Sequence, residues 1–181
     1  MTTFITGNAD KLRELQRLFP DSLNLTHKKL DLTEIQSLDL HKIISHKLRE
    51  AYADIGGPVM VEDVAAGLES QNGLPGPFIR FYMDQLGDDA LYKIGSPNDR
   101  ATITCTMGYY DGETELIVEG AIQGRVVAAR GQDGFGFDFI IVPNGYNQTI
   151  AELGSDVKSA ISHRALAVKE MIKALQQAGI C

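Results

Sequence analysis

Apolar and polar residues alternate along this chain with two periods, one typical of strands and one typical of helices. A short apolar strand at Phe4-Ile5 is followed by a predicted helix in which Leu12, Leu15 and Phe19 share one face. A second apolar run surrounds Leu23-Asn24-Leu25. This order of elements indicates an α/β protein.

The middle of the chain continues the same alternation. Positions 40, 43, 44, 47, 51 and 55 lie near helical spacing, and Gly56-Gly57-Pro58 predicts the end of that helix. Val59-Met60-Val61 is a continuous apolar run, as in a buried strand, and we expect it to end at Glu62-Asp63. A loop rich in Gly and Pro, at 73–77, leads into a predicted helix over 78–86.

The C-terminal half adds a hairpin and a long helix. Strands are predicted over 101–110 and 114–128, around a turn at Asp111-Gly112, and a further strand over 139–142. A hairpin between helical elements predicts a mixed sheet rather than a purely parallel one. The last helix ends at Gly179 and carries one apolar stripe, formed by Ile161, Ala165, Val168, Ile172 and Leu175.

Composition narrows the class of protein. The 181 residues, 44% of them apolar and 23% charged, suit a single globular domain over residues 1–181. No stretch approaches the roughly 20 apolar residues of a membrane span, and the chain opens on a strand rather than a signal peptide. The two cysteines form no metal or redox motif, so we expect a reduced, cytoplasmic protein that does not bind a membrane.

Charge excludes one class of partner. The net charge of −7 argues against a nucleic-acid polymer, whose binding proteins present a basic face. A small anionic ligand is compatible with this charge where Lys and Arg cluster locally, where a metal ion binds, or both.

The turn Thr6-Gly7-Asn8 is a candidate phosphate site. It joins the first strand to the first helix, where free backbone N–H groups at a helix N-terminus favour anions. Lys11 adds a positive charge one turn into the helix. The segment lacks the Walker pattern, and Gly-Asn is also a common turn, so these residues alone leave both interpretations open.

Three other groups also have both a structural and a functional interpretation. Glu62-Asp63 follows a strand, where open α/β sheets bind ligands, but an acidic pair can equally cap the next segment. Ser162-His163-Arg164 can cap a helix or donate hydrogen bonds to a ligand. Phe135 and Phe137 can pack in the core or stack on a ring, with glycine neighbours that allow close backbone approach.

Five motifs in register resolve these alternatives. Taken in this order and at these spacings, from residue 3 to about 175, the chain resembles the inosine triphosphate pyrophosphatase family, the non-canonical purine nucleoside triphosphate pyrophosphatases. The motifs are Thr6-Gly7-Asn8 with Lys11, Val61-Glu62-Asp63, the Gly73-to-Arg80 segment, Phe135-Gly136-Phe137-Asp138, and Lys158 with Ser162-His163-Arg164.

The resemblance implies a fold, a reaction and a metal. The fold is an elongated two-lobed α/β structure around a mixed sheet, with the active site in the cleft between the lobes. Glu34 and Asp63 would hold a divalent cation, Mg²⁺ or alternatively Mn²⁺, and Asp63 would accept a proton from the attacking water or orient it. Water would attack the α-phosphorus of ITP, dITP or XTP and release the nucleoside monophosphate and pyrophosphate, which cleanses the nucleotide pool.

The resemblance also implies the substrate contacts and a homodimer. The first turn and four cations would bind the phosphates. A second set of residues would bind the purine, and its donors to a 6-oxo group would reject adenine. The phosphate set is Thr6, Gly7, Asn8, Lys11, Lys47, Arg80 and Lys158, and the base set is Phe135, Gly136, Phe137, Asp138, His163 and Arg164.

Several positions depart from the family pattern, among them Arg80, Val64 and Ala66. Arg80 stands where lysine is typical, which keeps the charge but changes the contact geometry. Val64 and Ala66 replace the Thr and Leu usually found after the acidic pair. Loss of the hydroxyl at Val64 motivates a second hypothesis, a nucleotide-binding protein of the same fold with little or no turnover. A third hypothesis is a general phosphatase or kinase that uses the first loop.

Overall fold

The computed structural model describes residues 1–20, 23 and 25–180. Asn24 of the second predicted strand and Cys181 lie outside the described residues. Within this part of the chain seven strands and six α-helices form, which confirms the α/β class. The strands are β1 Thr2–Ile5, β2 Leu25–Lys28, β3 Val59–Leu68, β4 Pro75–Gly76, β5 Arg100–Tyr110, β6 Glu115–Val126 and β7 Ile141–Pro143. The helices are α1 Ala9–Leu18, α2 Leu40–Ile55, α3 Ile79–Leu86, α4 Ala90–Ile94, α5 Ile150–Ile161 and α6 His163–Gln177.

The sheet is mixed, as predicted. Its strands lie in the order β2-β1-β3-β5-β6-β7, and β4 pairs with β3 away from this path. β1 runs parallel to both neighbours, with Thr3 opposite Thr26 and Val59. β7 runs antiparallel to β6, with Arg125 opposite Val142. Parallel pairs need crossover helices, and α1 and α2 follow β1 and β2 for this reason.

Local capping explains where the first two helices begin and end. The Asn8 side chain accepts hydrogen bonds at the start of α1, and the Asp39 side chain accepts them at the start of α2. Both residue types are preferred at this position because their oxygens satisfy N–H groups that the helix leaves unpaired. Gly56 then ends α2 in the left-handed conformation, with φ of 70°, which glycine adopts without steric cost.

The chain divides into two compact units. The first contains Met1–Asp63, Cys105–Gly120 and the segment that begins at Arg164. Its core includes a cluster of buried side chains from β1, α2 and β3, namely Ile5, Ile44, Leu48, Ala51, Val59 and Val61. The second unit contains Val64–Thr104 and Ala121–His163. The predictions of a single domain and of an active site between two lobes stay predictions.

The prediction that the third strand ends at Glu62-Asp63 is wrong. β3 continues to Leu68, so both carboxylates project from the middle of a ten-residue strand. The strand continues because Val64-Ala65-Ala66 extends the apolar run, and because Ala66 and Gly67 pair with β4.

Two predictions for the C-terminal half are also wrong. The stripe predicted as one helix belongs to two, because Ser162 is extended at φ −66° and ψ 155° and ends α5. Ile161 therefore lies in α5 and the rest of the stripe in α6. The strand expected over 139–142 begins only at Ile141, because Gly136–Phe139 forms a single 3₁₀ turn.

No helix among the described residues combines the length and the apolarity needed to cross a membrane.

Candidate functional site

The first group of predicted site residues meets at Lys47. Its ammonium Nζ lies 2.8 Å from Glu34 Oε1 and 2.7 Å from Asp63 Oδ2. The lysine comes from α2, Asp63 from β3 and Glu34 from the loop that precedes α2. The structure thus brings together two carboxylates that lie 29 positions apart in the chain.

The loop that carries Glu34 is anchored on both sides. Leu30 and Leu32 pack against the core cluster of the first unit. The backbone N–H of Thr33 donates to Glu50 Oε2 at 2.8 Å, and its hydroxyl donates to Oε1 at 3.1 Å. These contacts place Glu34 without a helix or strand around it. The alternation Leu30-x-Leu32 is the sequence signal that one side of this segment is buried.

Lys47 is held as a cation in this position. Burial lowers the pKa of its ammonium, but the Asp63 and Glu34 carboxylates raise it more strongly, and the net pKa lies above its ordinary value. Only 8% of the side chain is exposed. Lys47 therefore stays charged across the physiological pH range, and its positive charge lies between the carboxylates of Glu34 and Asp63.

A second group centres on Glu62, the neighbour of Asp63 on β3. Successive strand residues project to opposite faces, so Glu62 meets different partners from Asp63. Its Oε1 lies 2.9 Å from Lys11 Nζ, while Arg164 donates from Nε to Oε2 at 2.8 Å and from Nη2 to Oε1 at 3.0 Å. Arg164 also pairs with Glu14 through Nη1.

Burial and charge act in opposite directions at Glu62. Burial raises the pKa of its carboxyl, but Arg164 and Lys11 outweigh that effect and hold the pKa well below its ordinary value. Burial likewise lowers the pKa of the Arg164 guanidinium, and the Glu62 charge raises it above the ordinary value. Both groups are therefore ionised. The sequence motif includes Glu62 beside Asp63 but indicates no separate role for it.

The first turn does not present the free backbone N–H groups that the sequence predicted. The backbone N–H groups of Asp10 and Lys11 are not free, because both donate to Asn8 Oδ1, at 2.9 and 3.1 Å. The Asn8 N–H in turn donates to Thr6 Oγ1 at 3.1 Å. An asparagine at the N-cap competes for the N–H groups that a phosphate would use. A phosphate contact of Thr6, Gly7, Asn8 and Lys11 stays a prediction.

A third group lies in the second unit. Lys158, from α5, pairs with Asp138 Oδ2, and its Nζ also lies 4.3 Å from the centre of the Phe135 ring. The backbone N–H of Phe135 donates to Asp138 Oδ2 at 2.9 Å. One buried carboxylate, with 4% of its side chain exposed, thus orients both a lysine and the segment that carries an aromatic ring.

Glycine allows the tight approach around Asp138. Gly134 has φ of 151°, and a Cβ added there would lie 2.8 Å from both Cβ and Oδ2 of Asp138. Real Cβ atoms do not approach so closely, so a larger residue would displace the carboxylate. Gly136 adopts the left-handed region at φ of 57° and opens the 3₁₀ turn.

The remaining predicted residues differ in exposure. Phe137 is half-buried, and His163 and Arg164 are buried, with 5% and 2% of their surfaces exposed. Because both side chains are buried, they do not form an exposed polar cap of the helix. The Arg80 side chain, in α3, is 72% exposed and lies 3.8 Å from Asp84. Base recognition by Phe137, His163 and Arg164, and phosphate binding by Arg80, stay predictions.

Glu34 and Asp63 fit a hard divalent cation. Glu34 and Asp63 present carboxylate oxygens to one positive charge, Lys47 Nζ, and oxygen is the ligand type that such ions prefer. Among the described residues, no group of three or more His, Cys, Asp or Glu side chains could hold a metal ion. Two carboxylates suffice for an ion that keeps water and substrate phosphates as its other ligands.

Comparison with known families shows which family the chain belongs to. A model of the Ham1 family matches residues 2–174, which is almost the whole chain. The chain belongs to the Ham1 family.

Ham1-family relatives confirm the resemblance found in the sequence. The inosine triphosphate pyrophosphatase of Yarrowia lipolytica is 38% identical over 173 residues, covering 93% of this chain and 92% of the relative. The inosine triphosphate pyrophosphatase of Batrachochytrium dendrobatidis is 40% identical over 177 residues, covering 94% and 93%.

Three solved structures share the fold. The HAM1 protein of Coxiella burnetii superposes with a TM-score of 0.80 at 26% identity, covering 97% of this chain and 98% of its own. The Mycobacterium abscessus protein named nucleoside-triphosphatase / dITP/XTP pyrophosphatase has a TM-score of 0.71 at 26% identity, covering 94% and 98%. The Staphylococcus aureus Ham1 protein, with a TM-score of 0.81 and 23% identity, shows the fold alone.

Proposed function

We propose that this protein is a nucleoside triphosphate pyrophosphohydrolase that hydrolyses ITP, dITP and XTP to the nucleoside monophosphate and pyrophosphate. One observation carries the proposal: Glu34 and Asp63 converge on Lys47 in a chain whose Ham1-family relatives are inosine triphosphate pyrophosphatases. In the reaction a water oxygen bonds to the α-phosphorus, the bond from that phosphorus to the bridging oxygen breaks, and pyrophosphate leaves with the electron pair.

Glu34 and Asp63 are the residues that would hold a divalent cation, Mg²⁺ or alternatively Mn²⁺. When bound, such an ion neutralises phosphate charge, polarises the phosphorus centre and helps to ionise water. Both carboxylates face a positive charge in this structure, at 2.8 and 2.7 Å, which supports the assignment. Neither carboxylate is deeply buried, since the Glu34 and Asp63 side chains are 41% and 21% exposed, so ligands from solvent can reach them.

Asp63 is the residue that would orient the attacking water and accept its proton. Lys47 holds this carboxylate through a charge-assisted hydrogen bond and restricts its orientation. The same ammonium would meet substrate phosphate, because a buried cation next to the reaction centre offsets the charge that develops there. Lys11, Arg80 and Lys158 would supply the other positive charges.

Phe135 and its neighbours in the second unit would bind the purine. Phe135 offers a half-buried ring for stacking, while Asp138 and Lys158 are held in contact beside it. His163 would donate to the 6-oxo group that distinguishes hypoxanthine and xanthine from adenine. Arg164 is already paired with Glu62 and Glu14, so it would support the site rather than contact the base. A site built for a donor disfavours an amino group at that position, because a buried polar group would be left unpaired.

The setting of the enzyme follows from the same resemblance. We propose a cytoplasmic homodimer that removes deaminated purine nucleotides from the pool. Light scattering coupled to gel filtration, on the purified chain, measures the assembly, and a mass of one chain would contradict the dimer.

One alternative function has a specific motivation. Val64 follows Asp63 on β3, where a hydroxyl side chain is usual in the family, and its loss could leave a protein that binds nucleotides with little turnover. The intact set of Glu34, Lys47 and Asp63 favours the enzyme.

The deciding experiment incubates the purified protein with Mg²⁺ and, separately, with ITP, XTP, ATP and GTP. Pyrophosphate and orthophosphate are assayed in each reaction. We expect pyrophosphate, mainly from ITP and XTP, without orthophosphate. Nucleotide binding without pyrophosphate would identify the binding protein and make Val64→Thr the first reversion to test. Orthophosphate or phosphoryl transfer would identify a phosphatase or kinase.

A further inference from the structure

Glu62 is the most buried carboxylate that the proposed chemistry does not use. Its side chain is 1% exposed, yet it contacts one residue predicted to bind phosphate and one predicted to bind the base, Lys11 and Arg164. The three residues come from β3, α1 and α6, all within the first unit. A buried charge is costly unless it is paired, so a charged residue at this buried position requires a structural or functional explanation.

The two cations are held differently. Arg164 donates to both oxygens of Glu62 through its planar guanidinium, and its own side chain is only 2% exposed, so this ion pair is rigid. Lys11 contacts the ion pair only once, at 2.9 Å from its Nζ to Glu62 Oε1, and its side chain is 23% exposed. Of the three side chains, Lys11 is therefore the one that a ligand in solvent can reach.

Holding Lys11 in advance favours binding of an anion. A free lysine side chain loses about 2 kcal/mol of rotamer freedom when it is immobilised on a ligand. A contact that already restricts the stem removes part of this cost from the binding step. Cys105 Sγ, 3.4 Å from Glu62 Oε2, completes the contacts of the carboxylate on its buried side.

We propose that Glu62 is a positioning residue for substrate phosphate: anchored by Arg164, it holds the Lys11 ammonium where the triphosphate binds. This inference rests on the proposed function, because it assigns Lys11 to the phosphates of that substrate. Glu62 acts through Lys11 and does not itself touch the nucleotide.

The test is a double-mutant cycle on the full chain, with Glu62→Gln, Lys11→Met and the double variant. KM and kcat for ITP and the inhibition constants of pyrophosphate and IMP are measured for each. We expect Glu62→Gln to raise KM for ITP and the inhibition constant of pyrophosphate about tenfold, with a smaller change for IMP. In the Lys11→Met background, Glu62→Gln should raise these two constants by less than about twofold, because Lys11, through which Glu62 acts, is absent.

Controls separate positioning from folding. Glu115→Gln removes another paired glutamate of the first unit, one bonded to Ser45 and Arg49, and should leave KM unchanged. Glu62→Asp keeps the charge on a shorter side chain, so it should weaken the contact with Lys11 and raise the inhibition constant of pyrophosphate less than Glu62→Gln does. Circular dichroism and thermal unfolding establish that each variant is folded, and Glu62→Asp replaces Glu62→Gln in the cycle where the latter does not fold.

The outcomes are distinct. Additive effects of the two substitutions, or a lower KM in Glu62→Gln, would overturn the positioning role while leaving pyrophosphate release by the wild type intact. Absence of hydrolysis by the wild type would refute the proposed function, and the cycle would then be measured on ITP binding by calorimetry. Absence of both hydrolysis and binding would overturn both.

Discussion

At the scale of single residues, the arrangement around Lys47 assigns different tasks to neighbouring charges. Asp63 and Glu62 are adjacent in sequence but project to opposite faces of β3, towards Lys47 and towards Lys11 with Arg164. One face of β3 therefore carries Asp63, the proposed catalytic residue, and the other carries Glu62, which we propose positions the phosphate-binding Lys11.

Replacing the proposed base should separate chemistry from binding. In Asp63→Asn the side chain keeps its shape but cannot take a proton from water, so we expect kcat for ITP to fall at least about 10²-fold while ITP still binds. Steady-state kinetics and calorimetry measure the two quantities. Asp54→Asn, at an exposed position of α2, is the matched control and should behave as the wild type. Unchanged kcat in Asp63→Asn would refute its assigned role.

Lys47 should matter far more than a surface lysine of the same helix. Lys47→Met removes the ammonium shared by Glu34 and Asp63, and we expect kcat/KM for ITP to fall about tenfold or more, a loss of ~1.4 kcal/mol in transition-state stabilisation. Lys42→Met is the control, because the Lys42 side chain is 74% exposed. Equal activity of the two variants would show that Lys47 takes no part in the reaction.

At the scale of elements, local signals predict regular structure well where one period dominates. The C-terminal end of α2 and the turn between β5 and β6 follow from Gly56 and from Asp111-Gly112, whose backbone requirements are local. Errors arise where a long-range contact decides the backbone. β3 continues past Glu62-Asp63 because β4, distant from them in the chain, pairs with the strand beyond them at Ala66 and Gly67.

The β5–β6 turn gives a pH-dependent prediction. Asp111 Oδ1 accepts the backbone N–H groups of Thr114 at 2.7 Å and Glu113 at 3.0 Å, and these bonds hold the pKa of Asp111 below its ordinary value of 3.8. A lowered pKa means that the carboxylate stabilises the fold above its unfolded pKa and loses this contribution as pH falls through its folded pKa.

We therefore expect Asp111→Asn to be less stable than the wild type by about 1 kcal/mol or less at pH 7, since Asp111 is only partly buried in a surface turn. The difference should shrink as the pH falls through the lowered pKa of the folded-state carboxyl, because the wild-type side chain then becomes protonated. Urea unfolding between pH 7 and pH 3 measures it, and a difference independent of pH would refute the role of the charge.

At the scale of the whole chain, the Glu62–Arg164 pair joins positions 102 residues apart. Removing one partner of a buried ion pair typically costs about 3–5 kcal/mol, because the other charge loses its compensation. We expect Arg164→Met to lower the free energy of unfolding by this amount in urea titrations at neutral pH.

An exposed ion pair provides the contrast. Arg100 pairs with Glu69 at 3.1 Å, but both side chains are about two-thirds exposed or more, at 70% and 68%. Arg100→Met should therefore cost less than about 1 kcal/mol. A similar loss in the two variants would mean that burial of the Glu62–Arg164 pair contributes nothing to stability.

The sequence by itself determined the α/β class, the mixed sheet, most strands and helices of the first 110 residues, and membership of the family. These properties depend on local periodicity, on turn residues and on motifs that are read along the chain. The sequence also supplied the candidates Glu34, Lys47 and Asp63, although Glu34 stands in a stretch with no regular structure.

Only the tertiary structure decided which charges meet. It placed Lys47 between Glu34 and Asp63, showed that Asn8 already accepts N–H groups of the first turn, and revealed Glu62 as the carboxylate that joins Lys11 and Arg164. The physical reason is that an ion pair acts over a few ångströms in space and is independent of separation along the chain. Residue spacing therefore indicates which groups are available, and the packing of strands and helices selects their partners.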